Sequence, residues 1–160
     1  MATKGLAHNL RLALYQPEIA QNVGAMLRVC ACFGVSMDII EPTGFPFDSK
    51  RMRRAGMDYI DFVKVEKYLS FEDFHACCGR RIVLLDVKGE QSLHDFKFRP
   101  EDVIMVGQEG SGVPEAVFEK CEQRVRIDML ENMRSLNVSV SAAIAIFEAI
   151  RQQSLTTGQQ

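Results

Sequence analysis

The segment Met129-Leu-Glu-Asn-Met-Arg-Ser-Leu-Asn-Val-Ser139 runs from the end of an apolar stretch into a helix rich in small and apolar residues. A second segment, Val106-Gly-Gln-Glu-Gly-Ser-Gly-Val-Pro114, is a glycine-rich loop that directly follows a predicted strand. Glycines allow the backbone to adopt positive φ and to approach a ligand closely. Loops at the carboxyl ends of parallel strands are where open α/β sheets bind ligands. The two segments therefore predict a polar loop site at one edge of an α/β sheet.

The glycine-rich loop differs from the two common phosphate-binding loops. Its spacing is G-x-x-G-x-G, whereas dinucleotide-binding sites have G-x-G-x-x-G followed by an acidic residue at a fixed distance. It also lacks the Lys-Ser/Thr pair of a P-loop. A ligand-binding loop of another kind and a purely structural tight turn both remain open on the sequence.

The polar residues at the start of the last helix have two interpretations. In the simpler one, Ser135 caps the helix, and Asn137 and Ser139 bond free backbone groups. This leaves Asn137 and Ser139 unexplained inside an otherwise apolar helix, where buried polar side chains need partners. The alternative is that Asn137 holds a nearby loop in place.

Strands and helices alternate along the whole chain. Apolar runs bounded by turn residues predict strands at Arg11–Tyr15, Met37–Ile40, Phe62–Val65, Ile82–Val87, Val103–Val106 and Val125–Met129. Helical spacing and capping residues predict helices at Asn22–Phe33, Asp48–Ala55, Phe71–Cys78, Pro114–Cys121 and Leu136–Arg151. This order predicts an α/β fold with a mostly parallel sheet flanked by helices. It fits one domain over residues 1–160, with a core at about 10–152 and a polar tail at 153–160.

Composition narrows the class of protein. With 160 residues, 47% of them hydrophobic, the chain can bury one sizeable core. No apolar run reaches membrane-spanning length and no signal peptide is evident, so we expect a cytoplasmic protein that does not contact a membrane. The five cysteines form no CxxC pair, which favours reduced, buried thiols and predicts no metal site.

Two residues of the first predicted helix are candidates for chemistry. Asn22 is either an N-cap or a site residue. Arg28 lies between Leu27 and Val29, and an arginine that emerges from apolar surroundings commonly meets a carboxylate or a phosphate.

A net charge of −2 argues against binding nucleic acid over the whole surface, so an RNA partner would need a local basic patch. The candidate patch is Lys50, Arg51, Arg53 and Arg54, of which the first, third and fourth share a helix face. Contact with an RNA backbone and a solvated basic face both fit this pattern.

The last predicted helix is apolar around most of its circumference. Its apolar residues are Val138, Val140, Ala142, Ala143, Ile144, Ala145, Ile146, Phe147, Ala149 and Ile150. Helices of this kind are buried on more than one side. We therefore expect a homodimer in which one side of this helix faces a second subunit. The alternative is that the sheet and a neighbouring helix cover it completely.

The two opening segments, in this order and preceded by Asn22 and Arg28, resemble the three motifs of the SpoU branch of the SPOUT RNA methyltransferases. The resemblance covers residues 10–152 and is greatest to small single-domain members that methylate the ribose 2′-hydroxyl of the wobble nucleotide in tRNA. The similar segments include Asn22-x-Gly24, Arg28-x-Cys30-Ala31, Ile39-Ile-Glu-Pro42, Gly44-Phe45, Asp48–Gly56, Asp58-Tyr59 and Lys88-Gly89.

The resemblance implies a SPOUT fold with a C-terminal trefoil knot, a homodimer packed through the first and last helices, and S-adenosyl-L-methionine as methyl donor. By position, it implies a cofactor site formed by Leu85, Gly107, Glu109, Gly112, Ile127, Met129 and Ser135. It implies a catalytic group formed by Arg28, Asn22, Ser135 and Asn137. Because the pKa of a free arginine exceeds about 12, we expect Arg28 to stabilise a developing alkoxide or to grip a phosphate rather than act as a base. Asn22, Ser135 and Asn137 would position Arg28 or the ribose.

The resemblance implies transfer of a methyl group to the 2′-hydroxyl of wobble cytidine or modified uridine in tRNA. Methylation of another tRNA or rRNA site is an alternative, although larger relatives carry an extra N-terminal RNA-binding domain that is not seen here. A non-catalytic RNA-binding protein with the same fold is a third possibility. Three positions depart from the family pattern: Gln108 and Asp128 stand where proline is usual, and Phe147 stands where tyrosine is common.

Overall fold

The computed structural model describes residues 9–54 and 57–157. Seven strands are present: β1 (Arg11–Tyr15), β2 (Ser36–Ile40), β3 (Val65–Tyr68), β4 (Ile82–Leu85), β5 (Gln91–Ser92), β6 (Val103–Val106) and β7 (Gln123–Arg126). The α-helices are α1 (Ala20–Phe33), α2 (Ser49–Arg54), α3 (Phe71–Cys78), α4 (Glu115–Lys120) and α5 (Val138–Thr157). A 3₁₀ helix spans Asp58–Phe62.

The strands form one sheet in the order β3-β2-β1-β6-β4-β7-β5, and every neighbouring pair is parallel. The predicted α/β fold with a parallel sheet is thus confirmed. β6 lies between β1 and β4, and β7 lies between β4 and β5. Each of these two strands is therefore inserted between two strands that precede it in the chain.

The alternation of side chains in β1 shows how the helices cover both faces of the sheet. Leu12 and Leu14 point into a core shared with α1 and α5, which includes Leu27. Ala13 and Tyr15 point into the opposite core, which includes residues of α3 and α4. Because both faces are covered, the central strands β1, β4 and β6 are apolar throughout, apart from Arg11 at the start of β1.

One strand prediction was wrong. Residues Phe62–Val65 were predicted as a strand, but residues 58–62 form the 3₁₀ helix and β3 begins at Val65. The buried residues Ile60 and Val63 are three apart, which matches the three-residue turn of a 3₁₀ helix and not the two-residue period of a strand.

Other element boundaries also differ from the prediction. The predicted strand Ile82–Val87 ends at Leu85, because residues 86–89 turn away from the sheet. β7 begins two residues before the predicted strand, and β5 was not predicted because it has only two residues. The last helix runs from Val138 to Thr157, so helix occupies most of the predicted polar tail. The predicted stop of α2 at Ala55 and Gly56 lies outside the described residues.

Two buried carboxylates are paired inside the fold. Arg11 Nε donates to Asp38 at 2.8 Å, and this contact raises the pKa of the guanidinium. Arg81 Nε donates to Asp102 Oδ1 at 2.8 Å. These pairs satisfy the buried charges and leave neither carboxylate available as a site residue.

Candidate functional site

A cavity of about 340 Å³ lies at the carboxyl ends of three adjacent strands. It is bounded by the loops that follow β4, β6 and β7. The residues predicted as a cofactor site all line it: Leu85, Gly107, Glu109, Gly112, Ile127, Met129 and Ser135. Residues that are far apart in the sequence therefore lie together in the fold, at the edge of the sheet where parallel α/β proteins bind ligands.

The glycine-rich loop closes on itself. Gln108 and Gly112 exchange two backbone hydrogen bonds of 2.8 and 3.0 Å. A Cβ on Gly107 would lie 2.6 Å from the carbonyl carbon of Gly112, so Gly107 is required by the loop's own geometry. Gly112 has φ of +67°, which also favours glycine. The loop is thus a tight structural turn that also lines the cavity, so the two interpretations do not exclude each other.

The loop after β4 turns tightly and crosses β7. The backbone N–H of Gly89 donates to Asp86 O at 2.9 Å, and that of Lys88 donates to Asp86 Oδ1 at 2.8 Å. A Cβ on Gly89 would lie 2.3 Å from the carbonyl carbon of Val125. Only glycine allows the two backbones to pass this closely.

A chain of polar contacts joins the cavity to the start of α1. The Glu109 carboxylate accepts hydrogen bonds from the backbone N–H groups of Glu18 at 3.0 Å and Ile19 at 3.3 Å, and from Asn22 Nδ2 at 3.3 Å. Asn137 Nδ2 in turn donates to Asn22 Oδ1 at 3.1 Å. Ile19 is the N-cap of α1, so Asn22 is not the cap, and Glu109 provides a negative charge at this helix end from a distant loop.

Asn137, and not Ser135, caps the last helix. Its Oδ1 accepts from the backbone N–H of Ser139 at 2.9 Å and of Val140 at 3.4 Å. The interpretation that Ser135 caps this helix is therefore wrong, and Ser135 is an exposed residue on the wall of the cavity. The same amide group also bonds Asn22, so the direct partner of Asn137 is a residue of helix α1 and not, as the alternative interpretation expected, a loop.

Arg28 is exposed on α1, and its guanidinium carbon lies 5.2 Å from the centroid of the Tyr59 ring. It does not line the cavity of its own chain. The structure thus brings Asn22, Glu109 and Asn137 together and puts Ser135 in the cavity wall, but it leaves Arg28 outside.

The predicted basic patch forms α2 and its surroundings. Asp48 Oδ1 accepts from the backbone N–H of Lys50 at 2.9 Å, as expected of an N-cap. Arg53 binds both carboxylate oxygens of Asp61, which raises the pKa of the guanidinium. Arg53 is thus exposed but paired with Asp61, and Lys50, Arg51 and Arg54 are the other exposed cations of α2.

Asp128, at one of the positions that depart from the family pattern, ties β7 to β5. Its carboxylate accepts a hydrogen bond from Ser92 Oγ and another from Arg126 Nε at 2.9 Å. These contacts, first of all the one from Ser92, lower the pKa of Asp128. The side chain therefore fixes the end of β7 by polar contacts where a proline would stiffen the backbone.

Two residues of α4 that line the cavity, Glu115 and Phe118, were missed by the sequence analysis. The other charged residues of the lining, Asp86, Lys88 and Arg134, lie in the segments 85–89 and 127–135, which were expected to bind the cofactor. The residues of α4 gave no signal in the sequence, since only the fold brings that helix against the loops after β4 and β7.

The thiols and acidic groups of the described residues show no metal centre. Within residues 9–54 and 57–157, no group of three or more His, Cys, Asp or Glu side chains is arranged to hold a metal ion. Cys30 and Cys121 are buried, and burial raises the pKa of these thiols to about 12 and about 11. Cys32 and Cys77 are exposed, contrary to the expectation of buried thiols. No helix in the described part is long and apolar enough to cross a membrane.

Comparison with known proteins agrees with this architecture. Residues 9–147 match the SpoU rRNA Methylase family. A tRNA (cytidine(34)-2′-O)-methyltransferase of Beijerinckia indica is 53% identical over 144 residues, which are 88% of this chain and 90% of the relative.

Solved structures show the same relationship. One, from work on the 2-OH methylation of C/U34 on tRNA, is 38% identical with a TM-score of 0.85, covering 95% of this chain and 99% of the other. The SpoU methyltransferase AviRb from Streptomyces viridochromogenes, solved with the cofactor AdoMet, shares the fold at 22% identity and a TM-score of 0.76. It matches over 94% of this chain and 60% of its own. With its parallel sheet, its three loops at the strand ends and a family match over residues 9–147, the chain belongs to the SpoU rRNA methylase family.

Proposed function

We propose that this protein transfers a methyl group from S-adenosyl-L-methionine to the ribose 2′-hydroxyl of the wobble nucleotide, cytidine or modified uridine, in tRNA. The observation that carries the proposal is the cavity at the ends of β4, β6 and β7, which collects all the residues assigned to the cofactor site. The identity of 53% to a tRNA (cytidine(34)-2′-O)-methyltransferase supports the choice of substrate over another tRNA or rRNA site.

The volume and the lining of the cavity fit S-adenosyl-L-methionine, a small cofactor with a positively charged sulfonium. Its volume of about 340 Å³ is within the range of small-molecule sites, about 300–1,000 Å³. Leu85, Ile127 and Met129 offer apolar surface for a flat base, and the loop 107–112 offers backbone groups. Asp86 and Glu115 also line the cavity, where their carboxylates bring negative charge near the bound sulfonium. Bound in this cavity, S-adenosyl-L-methionine would supply an electrophilic methyl group.

The role of Glu109 follows from its contacts. Its carboxylate oxygens already accept hydrogen bonds from the start of α1 and from Asn22. Glu109 therefore contributes to the cofactor site by holding the loop in place, and through its backbone, rather than by a carboxylate contact.

Arg28, Asn22, Ser135 and Asn137 would serve the methyl transfer by positioning and charge. Arg28 stabilises negative charge on the ribose oxygen or grips an adjacent phosphate, and its planar fork suits either group. Ser135 lies in the cavity wall, where its hydroxyl can bond the ribose. Asn22 and Asn137 hold the start of α1, which carries Arg28, against the loop 107–112. Correct placement of the hydroxyl accounts for a large part of the rate in such a displacement.

The active form would be a homodimer packed through α1 and α5. Exposed apolar side chains form one face across these helices: Phe33, Val140, Ile144 and Phe147. The rings of Phe33 and Phe147 contact each other edge to face, with centroids 6.3 Å apart. A groove of about 580 Å³ opens beside them. A second subunit would cover this face. Because Arg28 does not line the cavity of its own chain, its proposed role requires that it act at the cavity of the partner subunit.

The finer feature of the proposed fold is a trefoil knot in the C-terminal part. It is supported by the insertion of β6 and β7 between earlier strands and by the close crossing of Gly89 and Val125.

We place the protein in the cytoplasm, where its proposed substrate is processed.

The test is mass mapping of ribose methylation in tRNA from a strain that lacks the gene for this protein. We expect the 2′-O-methyl group of nucleotide 34 to be lost from a subset of tRNAs and restored by the wild-type gene. Full methylation at nucleotide 34 in the deletion strain would contradict the proposal. A non-catalytic RNA-binding protein would leave all ribose methylation unchanged.

A further inference from the structure

The 3₁₀ helix Asp58–Phe62 divides its side chains into three columns, because residues three apart eclipse each other in such a helix. Ile60 and the following Val63 form a buried column. Asp58 and Asp61 form an acidic column on the surface. Tyr59 and Phe62 form an aromatic column, and Phe62 at its outer end is 77% exposed. The buried column fixes the helix, so the exposure of Phe62 is set by the fold.

The aromatic column begins at the arginine assigned to the reaction. The guanidinium of Arg28 lies over the Tyr59 ring at 5.2 Å. Phe62 is one 3₁₀ turn further, an axial rise of about 6 Å, which is close to two stacked base steps of about 3.4 Å each. An RNA strand whose ribose or phosphate meets Arg28 would therefore have a nucleotide one or two positions away beside Phe62.

The charges around the column suit a polyanion. The adjacent helix α2 exposes Lys50, Arg51 and Arg54. The acid closest to Phe62 in sequence, Asp61, is held by Arg53, so its negative charge is paired. Unpaired bases stack on exposed aromatic rings that lie beside cationic grooves, whatever the base sequence.

We propose that Phe62 is a stacking platform for an unpaired nucleobase of the RNA substrate, one or two positions from the nucleotide that is methylated. The proposal rests on the proposed function, since it assumes a single-stranded loop held near Arg28. A phenyl ring with its face in solvent provides the stacking surface, the ion pair between Arg53 and Asp61 holds the 3₁₀ helix against α2, and the cations of α2 hold the backbone.

The experiment compares Phe62→Leu, Phe62→Ala and Phe62→Trp in the full-length protein. Leucine keeps apolar bulk without a π face, whereas tryptophan keeps the face. We expect leucine and alanine to raise the KM for tRNA about tenfold with little change in kcat, and tryptophan to retain wild-type values. Leu69 is a matched control, because it is 79% exposed and lies outside the aromatic column. Leu69→Ala should leave KM unchanged.

A second readout does not depend on turnover. An anticodon stem-loop with 2-aminopurine at one loop position should lose fluorescence when the base stacks on wild-type protein, and the quenching should be lost with Phe62→Leu. Equal KM and equal quenching for wild type and Phe62→Leu would overturn the proposal. A changed sedimentation coefficient in Phe62→Ala would also overturn it, because the ring would then belong to a protein interface. If the wild type quenches the probe but methylates no tRNA, the proposed function fails while the platform stands.

Discussion

Replacement of Glu109 by alanine tests whether its carboxylate holds the fold together or binds the cofactor. The substitution removes an acceptor of three hydrogen bonds, two of them at 3.3 Å, from the N-terminus of α1. Loss of a helix cap costs about 0.5–2 kcal/mol, and loss of a negative charge at a helix N-terminus costs about 0.3–1 kcal/mol. Because the contacts are long and partly exposed, we expect a loss of about 1–2 kcal/mol in the free energy of unfolding.

For a domain of this size, that loss corresponds to a Tm lower by about 3–6 °C. Glu109→Gln keeps an acceptor oxygen without the charge and should lose about half as much. Glu119→Ala, at an exposed carboxylate of α4 outside the cavity, is the matched control and should leave Tm unchanged. Thermal unfolding and calorimetric titration with S-adenosyl-L-methionine are measured on the same samples. An unchanged Tm with strongly weakened cofactor binding would refute the reasoning, because the carboxylate would then be a ligand.

Three other substitutions have equally definite outcomes. Gly107→Val should abolish cofactor binding in calorimetry, since its Cβ would lie 2.6 Å from the backbone of the same loop. Gly110→Ala is the control and should bind the cofactor normally, because its Cβ would meet no atom closer than 3.9 Å. Equal binding by the two variants would contradict this expectation. Phe147→Glu should give a monomer in sedimentation, because the ring is 58% exposed in one subunit and belongs to the face that the second subunit is proposed to cover. A persisting dimer would place the interface elsewhere. The hydrogen bond from Arg151 lowers the pKa of Glu148 to about 2, so its stabilisation is present above about pH 4.5 and is lost as pH falls towards 2. Glu148→Gln should flatten the fall in the free energy of unfolding over that range, and an unchanged slope in urea titrations would exclude the effect.

The order of elements could be predicted from sequence because both cores impose simple periods on the chain. β1 alternates between the two cores, and α1 carries Val23, Met26, Leu27 and Cys30 at helical spacing. The strand predicted at residues 62–65 was wrong because a short apolar run carries little periodic information, although the buried Ile60 and Val63 have the three-residue spacing of a 3₁₀ helix.

The candidate site could be located but not understood from sequence. The loop that contains Gly107 was found because it is rich in glycine and follows a strand, whereas Ile127 and Met129 were assigned through the resemblance to the family. The use of the Glu109 carboxylate was hidden, because its partners at Glu18 and Ile19 are about ninety residues away in the chain. Such contacts depend on tertiary structure and leave no local pattern.

The same holds for Arg28 and for the strand order of the sheet. An arginine beside apolar residues indicated a functional group, but only the packing of the 3₁₀ helix shows that it stacks on Tyr59 outside the cavity. The insertion of β6 between β1 and β4 is likewise invisible to periodicity, because each strand has the same pattern wherever it pairs.

The most direct test of the central claim is methylation of purified tRNA by the purified protein with isotope-labelled S-adenosyl-L-methionine, followed by mass mapping of nuclease fragments. We predict that the label appears on the ribose 2′-oxygen of nucleotide 34 and nowhere else. Arg28→Ala should abolish the label while calorimetry shows unchanged cofactor affinity, because Arg28 lies outside the cavity. Label on a base, label on a ribose other than that of nucleotide 34, or full activity of Arg28→Ala would contradict the account.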